Sequence, residues 1–183
     1  VESKDTKGED YYKGIAEIYD LDKTTNPYRQ YFEIYTIGNI IADFTNEDVL
    51  DLACGTGFHT KNIRKATTGK VYGVDISEDM INYANKNKGD ADINFIQHDL
   101  AEPLDLNMKF DVVCAFYFFQ YAKNQEMLDI FVRNTLTFLK PGGKLFAFNG
   151  RIPSSEHDKP YVGNDLDSEE NVKLPFCETL VQW

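Results

Sequence analysis

Three acids and two glycines stand where a nucleoside ligand could use them. In the stretch VLDLACGTGFHT, residues 49–60, an apolar run carries Asp51 and leads into Gly55-x-Gly57. A second apolar run, KVYGVD, ends on Asp75, and a third, DINFIQHD, ends on Asp99. Glycine lets the backbone turn tightly and approach a ligand with no Cβ in the way. A helix starting just after the glycines would turn its free N–H groups toward an anionic group. Asp75 lies 18 residues beyond Gly57, near the offset of about 20 at which an acid accepts hydrogen bonds from ribose hydroxyls. Each acid alone also has a plainer reading, capping the turn that ends its strand. Three in consecutive units beside a glycine loop point to one crevice.

The charge of that crevice selects among ribose-bearing ligands. Gly55-x-Gly57 opens a dinucleotide pattern, G-x-G-x-x-G, but the third position is Thr60, where Gly or Ala permits close helix packing. Asp51 would sit badly beside a diphosphate. It suits a cationic amino group, and Asp99 suits an exocyclic amine such as that of adenine. Ribose, adenine, an ammonium group and a carboxylate for the helix terminus together describe S-adenosylmethionine, whose sulfonium adds a further positive charge. A nicotinamide-dependent oxidoreductase is the competing reading, opposed by Thr60 and the acids.

These residues need a frame, and the pattern from Asp48 onward supplies one. VLDLA, KVYGVD, DINFIQHD, FDVVCAFYF and KLFAFNG read as strands, separated by helical patterns. Residues 56–65 fit a helix, SEDMINYANKN a second with Ser77 as N-cap, and EMLDIFVRNTLTFL a third, with Met127, Ile130, Phe131, Leu136 and Leu139 in a buried stripe and PGG as its stop. Strand–helix alternation predicts an α/β fold, a Rossmann-like doubly wound, mainly parallel sheet with helices on both faces. Ligands bind such sheets beyond the carboxyl ends of the strands. Ahead of the sheet, YYKGIAEIY predicts a helix with Tyr11, Ile15, Ile18 and Tyr19 on one face, broken at LDKTTN. A second helix starting at Pro27 would bury Tyr28, Tyr31, Ile34, Tyr35, Ile41 and Phe44. The segments are therefore 1–47, a helical lid; 48–150, the cofactor-binding core; and 151–183, a C-terminal segment in the same domain, polar at first and then apolar enough for one or two short strands.

Composition narrows the partners. The 183 residues are 42% hydrophobic, enough for one sizeable core, and carry a formal net charge of −11. An acidic surface repels phosphate backbones, so nucleic acid is not expected as a partner. No apolar run approaches the roughly 20 residues of a membrane helix. The charged start, VESKDTKGED, lacks the apolar core of a signal peptide. Cys54, Cys114 and Cys177 are odd in number and lack metal-ligand spacing, so no metal is expected and a reducing, cytoplasmic setting is. Oligomeric state is not legible.

The segments VLDLACGTG, VYGVDIS, INFIQHDL, FDVVCAFYFFQYA and LKPGGKLFAFN, in this order and spacing, resemble the class I S-adenosylmethionine-dependent methyltransferases. The resemblance implies that Asp51, Ala53, Gly55 and Gly57 surround the methionine part of the cofactor. It implies that Asp75 binds the ribose, that Ile76 packs on adenine, and that Asp99 and Leu100 meet the adenine amine and ring. Phe116 and Tyr117 would border the transferred methyl. YYKGIAEIYD, NPYRQYFEIYT and FYFFQYAKNQEML resemble more narrowly the small-molecule branch typified by the toxoflavin-biosynthesis methyltransferase. In that branch Tyr11, Tyr12 and Tyr19 would lie on a helix closing over the cofactor, and Arg29 and Tyr35 would face the same cavity. The family core has seven strands, and the 33 residues after Gly150 imply a shortened C-terminal edge. That shortening motivates an alternative, a module that binds S-adenosylmethionine without transferring methyl.

The implied reaction is an in-line displacement of S-adenosylhomocysteine by a small-molecule acceptor. Its demands are alignment and exclusion of water. Tyr117, Gln120 and Tyr121 are candidates for holding the acceptor, though FYFFQY can equally be core filling. His59 is a candidate base, with a helix-cap histidine as the plainer reading. Cys54 needs no chemistry beyond packing at a tight turn.

Overall fold

The apolar runs form the sheet that their continuity requires. A computed structural model describes residues 12–149 and the backbone of Thr179–Gln182. Tyr11 and Cys177 lie outside the described residues. The strands are β1 (Val49–Leu52), β2 (Val71–Asp75), β3 (Asn94–Gln97), β4 (Phe110–Phe116), β5 (Leu139–Phe148) and β6 (Thr179–Gln182). They are ordered β3-β2-β1-β4-β5-β6. The first five run parallel, and β6 returns antiparallel along β5. Strand order reverses between β1 and β4, which opens the crevice at their carboxyl ends.

Side-chain alternation divides the core into two layers. Val49, Val112, Cys114 and Phe116 pack with Ile37, Ile41 and Ile63 on one face. Leu50, Leu52, Val113 and Ala115 pack with Phe131 and Phe138 on the other. The helices responsible are α2 (Tyr35–Ile41) and α3 (Phe58–Ala66) for the first face and α5 (Gln125–Thr137) for the second. Ser77 accepts from the Met80 N–H and caps α4 (Glu78–Asn87), as expected. The stripe on α5 differs from the sequence pattern: Phe131 and Thr135 are buried, and Leu136 is half-buried. Leu139 is already in β5, where it pairs with Phe110 before the register jumps to Val112 opposite Lys144. PGG therefore bulges within a strand.

The N-terminal segment departs furthest from its periodicity. Helix α1 (Ala16–Thr25) runs straight through LDKTT. It buries Ala16 and Lys23 while Ile18 and Leu21 are exposed. Residues Arg29–Ile34 form a π-helical turn that runs into α2. Its wider i→i+5 winding rotates the facing residues. Tyr28, Tyr31 and Tyr35 point outward, and Glu33 is fully buried in their stead. Among the described residues no helix is long and apolar enough to cross a membrane.

Candidate cofactor and active site

Asp51 and Asp75 converge at the carboxyl edge of the sheet. Asp51 is buried and accepts a 2.6 Å hydrogen bond from the Thr60 hydroxyl of α3. Burial pushes its carboxyl up to about 7, assisted by the charge of Asp75 and opposed by Thr60 and Lys23. Thr60, where a dinucleotide loop would want Gly, thus serves the acid of the neighbouring strand. Asp75 accepts from the Gly55 N–H at 2.8 Å and the Ser77 N–H at 2.9 Å, tying the glycine loop to the start of α4. Burial raises its carboxyl above the ordinary value despite these bonds. Each of its oxygens retains a lone pair for a ligand. Asp99 lies at the same edge but beyond β3, and one of its oxygens accepts the Ala101 N–H at 2.9 Å. That bond is the turn-capping role.

Backbone strain marks the same place. Gly57 precedes α3 with a φ of 72°, and a Cβ there would stand 2.5 Å from the Phe95 ring. Ala53 and Tyr117, just past β1 and β4, hold φ values of 55° and 65°. Such values are rare for residues other than glycine and gather at functional sites. Both residues line one cavity, with Tyr19, Phe58 and Phe116 as aromatic walls and Lys23, Asp51 and His59 as polar ones. Helix α1 lies over it, and the enclosed volume is only about 20 Å³. Asp20 of α1 accepts from the Thr56 hydroxyl at 2.7 Å, and Tyr19 stands over Gly55.

Sequence reasoning missed Glu33. Its carboxylate takes four donors: Lys23, Arg29 at 2.8 Å, His59 Nε2 at 2.8 Å and the Tyr117 hydroxyl at 3.1 Å. Burial alone would raise it, but His59 and Lys23 outweigh burial and hold it at about 2. Lys23 is itself buried, 5.3 Å and 5.4 Å from the Tyr19 and Tyr117 ring centres. A Glu among tyrosines reads as a solvated residue. The only signal was the supply of unpaired cations, Lys23 and Arg29, around it.

The other candidates scatter. Leu100 is in the core layer of α5, and Ile76 is half-buried at the end of β2. Gln120 is exposed, and Tyr121 is 41% exposed with its hydroxyl against that of Tyr12. Neither Gln120 nor Tyr121 lines the cavity. Arg29 pairs with Asp22 and Glu33. Tyr35 lines a separate groove with Phe44 and Phe146, because the π turn rotated it outward. Cys54 and Cys114 form no disulfide, and burial pushes both thiols up, which leaves them unreactive. Among the described residues no cluster of His, Cys, Asp or Glu is arranged to hold a metal.

The donor set fits one kind of group. Two buried carboxylates accept from cations and hydroxyls, the glycine loop lets a ligand come close to the backbone, and the one buried cation in the cavity wall is already paired with Glu33. A diphosphate would meet two acids there, whereas a cationic nucleoside amino acid would meet partners.

Residues 49–143 match the family of methyltransferase domains. A dTDP-3-amino-3,4,6-trideoxy-alpha-D-glucopyranose N,N-dimethyltransferase of Streptomyces venezuelae is 34% identical over 131 residues, covering 70% of this chain and 54% of that protein. The histone-arginine methyltransferase CARMER of Drosophila ananassae is 30% identical over 146 residues, covering 76% of this chain and 26% of that protein. The chain thus spans about half or less of the length of these two relatives. Among solved structures, the DhpI–SAH complex matches with a TM-score of 0.66 at 25% identity, over 78% of this chain and 67% of that one. Streptomyces venezuelae DesVI matches with a TM-score of 0.63 at 29% identity, over 76% and 59%.

Proposed function

We propose that this chain, which belongs to the methyltransferase-domain family matched by residues 49–143, transfers methyl from S-adenosylmethionine to a small-molecule acceptor. The observation that carries this is the buried pair Asp51 and Asp75 beside the bare Gly55–Gly57 loop. When bound, the cofactor supplies an activated methyl on a sulfonium. Asp51, with Ala53, Gly55 and Gly57, binds its amino-acid end, and the start of α3 takes the carboxylate. Asp75 accepts from the ribose hydroxyls. Ile76 flanks adenine, and the second oxygen of Asp99 accepts from its amine. Phe116 and Tyr117 border the methyl and keep water from it. The 20 Å³ cavity, lined by Asp51, Ala53, Phe116 and Tyr117, is too small for the methionine end, so α1 swings out to admit the cofactor and closes with Tyr19 over it, the lid role of residues 1–47.

An aromatic-walled enclosure suits a small acceptor better than a polypeptide. This agrees with the named substrate of the Streptomyces venezuelae relative and with the branch of the toxoflavin-biosynthesis enzyme. A cytoplasmic setting agrees with the unpaired thiols of Cys54 and Cys114. Calorimetric titration with S-adenosylhomocysteine and with NAD tests the site: the first binds and the second does not. Transfer of labelled methyl to any acceptor separates an enzyme from a binding module, and binding of NAD alone overturns the reading.

A further inference from the structure

We propose that His59 accepts the proton released in methyl transfer, held in the productive tautomer by Glu33, and that the acceptor therefore attacks through a nitrogen or oxygen that carries a proton. This rests on the methyltransferase reading above. His59 Nε2 lies 2.8 Å from Glu33 Oε1. An ionised carboxylate only accepts, so Nε2 carries the hydrogen and Nδ1 presents a bare lone pair. Nδ1 has no hydrogen-bond partner among the described residues. The ring lines the cavity together with Ala53 and Tyr117, the two strained residues at the ends of β1 and β4. It is fixed edge-on against Phe116, with ring centres 5.7 Å apart. A base whose far nitrogen is oriented by a buried carboxylate is the arrangement that proton-accepting histidines use.

Burial, with two nearby cations, keeps the ring neutral. Burial lowers its pKa first. Lys23 of α1 and Arg29 of the π turn lower it further, while the bond and the charge of Glu33 raise it. Asp51 of β1 is the remaining acid in the cavity wall. Glu33 stays ionised because Lys23, Arg29 and the Tyr117 hydroxyl also donate to it.

The step balances. The acceptor's lone pair bonds to the methyl carbon, the carbon–sulfur pair goes to sulfur, and neutral S-adenosylhomocysteine leaves. The acceptor's proton passes to Nδ1, and the imidazolium returns it to water. Tertiary amines and thioethers have no proton to give, so this site would offer them nothing beyond alignment.

Two measurements on the full chain test this. In nitrogen-15 NMR of histidine-labelled protein with S-adenosylhomocysteine bound, His59 should be neutral at pH 7 with hydrogen on Nε2. Hydrogen on Nδ1, or on both nitrogens, overturns the proposal. Transfer of tritiated methyl from saturating S-adenosylmethionine is then measured from pH 5 to 9 with two acceptor mixtures: primary and secondary arylamines with phenols, and tertiary arylamines with thioethers. Only the first mixture should be methylated, with a rate that declines toward the acidic end of that range. His59→Gln should bind S-adenosylhomocysteine within about twofold of the parent, lose about 10²-fold or more in rate, and lose that decline. Methylation of the second mixture, a rate independent of pH, or an unimpaired His59→Gln overturns the proposal. So does transfer to neither mixture by protein that binds the homocysteine product. Protein that does not bind it fails the methyltransferase reading instead.

Discussion

A carboxyl group sealed from water is stable only while it is neutral or has found a cation. Asp51 illustrates this. Its carboxyl sits at about 7 in the folded chain against 3.8 unfolded, so the folded state holds a proton that the unfolded state releases. That contribution to stability is complete below about pH 4 and disappears as pH rises through 7. Asp51→Asn should therefore gain about 1–3 kcal/mol at pH 8 in urea denaturation, and no difference there would reject the sealed environment. If Asp51 receives the cofactor's ammonium, binding must expel its proton. Affinity for S-adenosylhomocysteine should then fall about tenfold per unit below pH 7, with proton release seen by calorimetry in two buffers. Glu33 has the opposite sign: held at about 2 against 4.5 unfolded, it stabilises above pH 4.5 and loses that effect as pH falls toward 2. Glu33→Gln strands Lys23 without a counter-charge and should lose about 3–5 kcal/mol. Adding Lys23→Met should restore most of it, and an additive double mutant would refute the pairing.

At the scale of elements, α1 and the glycine loop decide access. Asp20 accepts from Thr56 on the loop and, at 3.4 Å, from Tyr83 on α4, so one side chain docks the helix on both. Asp20→Ala should speed cofactor association several-fold in stopped-flow mixing, since half-buried polar latches contribute about 1 kcal/mol each. An unchanged association rate would mean that α1 does not gate the site. The sequence showed α3, α4 and α5 because their amphipathic patterns face a sheet already implied by its apolar runs. It misread the buried face of the second N-terminal helix because the π turn breaks the 3.6-residue count on which periodicity depends. Tyr28, Tyr31 and Tyr35 matched a buried stripe and are exposed. Lys23, within a stretch that reads as a break, is buried.

For the whole molecule, the sheet brings residues far apart in sequence to one edge, and a ligand there binds the folded chain alone. S-adenosylhomocysteine at 100 times its Kd should add about 2.7 kcal/mol and raise Tm by about 5–10 °C, whereas NAD at the same concentration should leave Tm unchanged. Strand identity, the glycine loop, the helix cap at Ser77 and the acids at the strand ends were all set by the sequence alone. Each depends on neighbours within a few residues or on the burial of a short apolar run. Only the tertiary structure decided that Thr60 bonds Asp51, that Asp99 turns one oxygen to its own backbone, and that Glu33 lies inside with His59 upon it. The Thr60 and Glu33 outcomes depend on donors as far as 84 residues away, whereas Asp99 is met by its own turn, and a buried polar group is stable only where the whole fold delivers its partners.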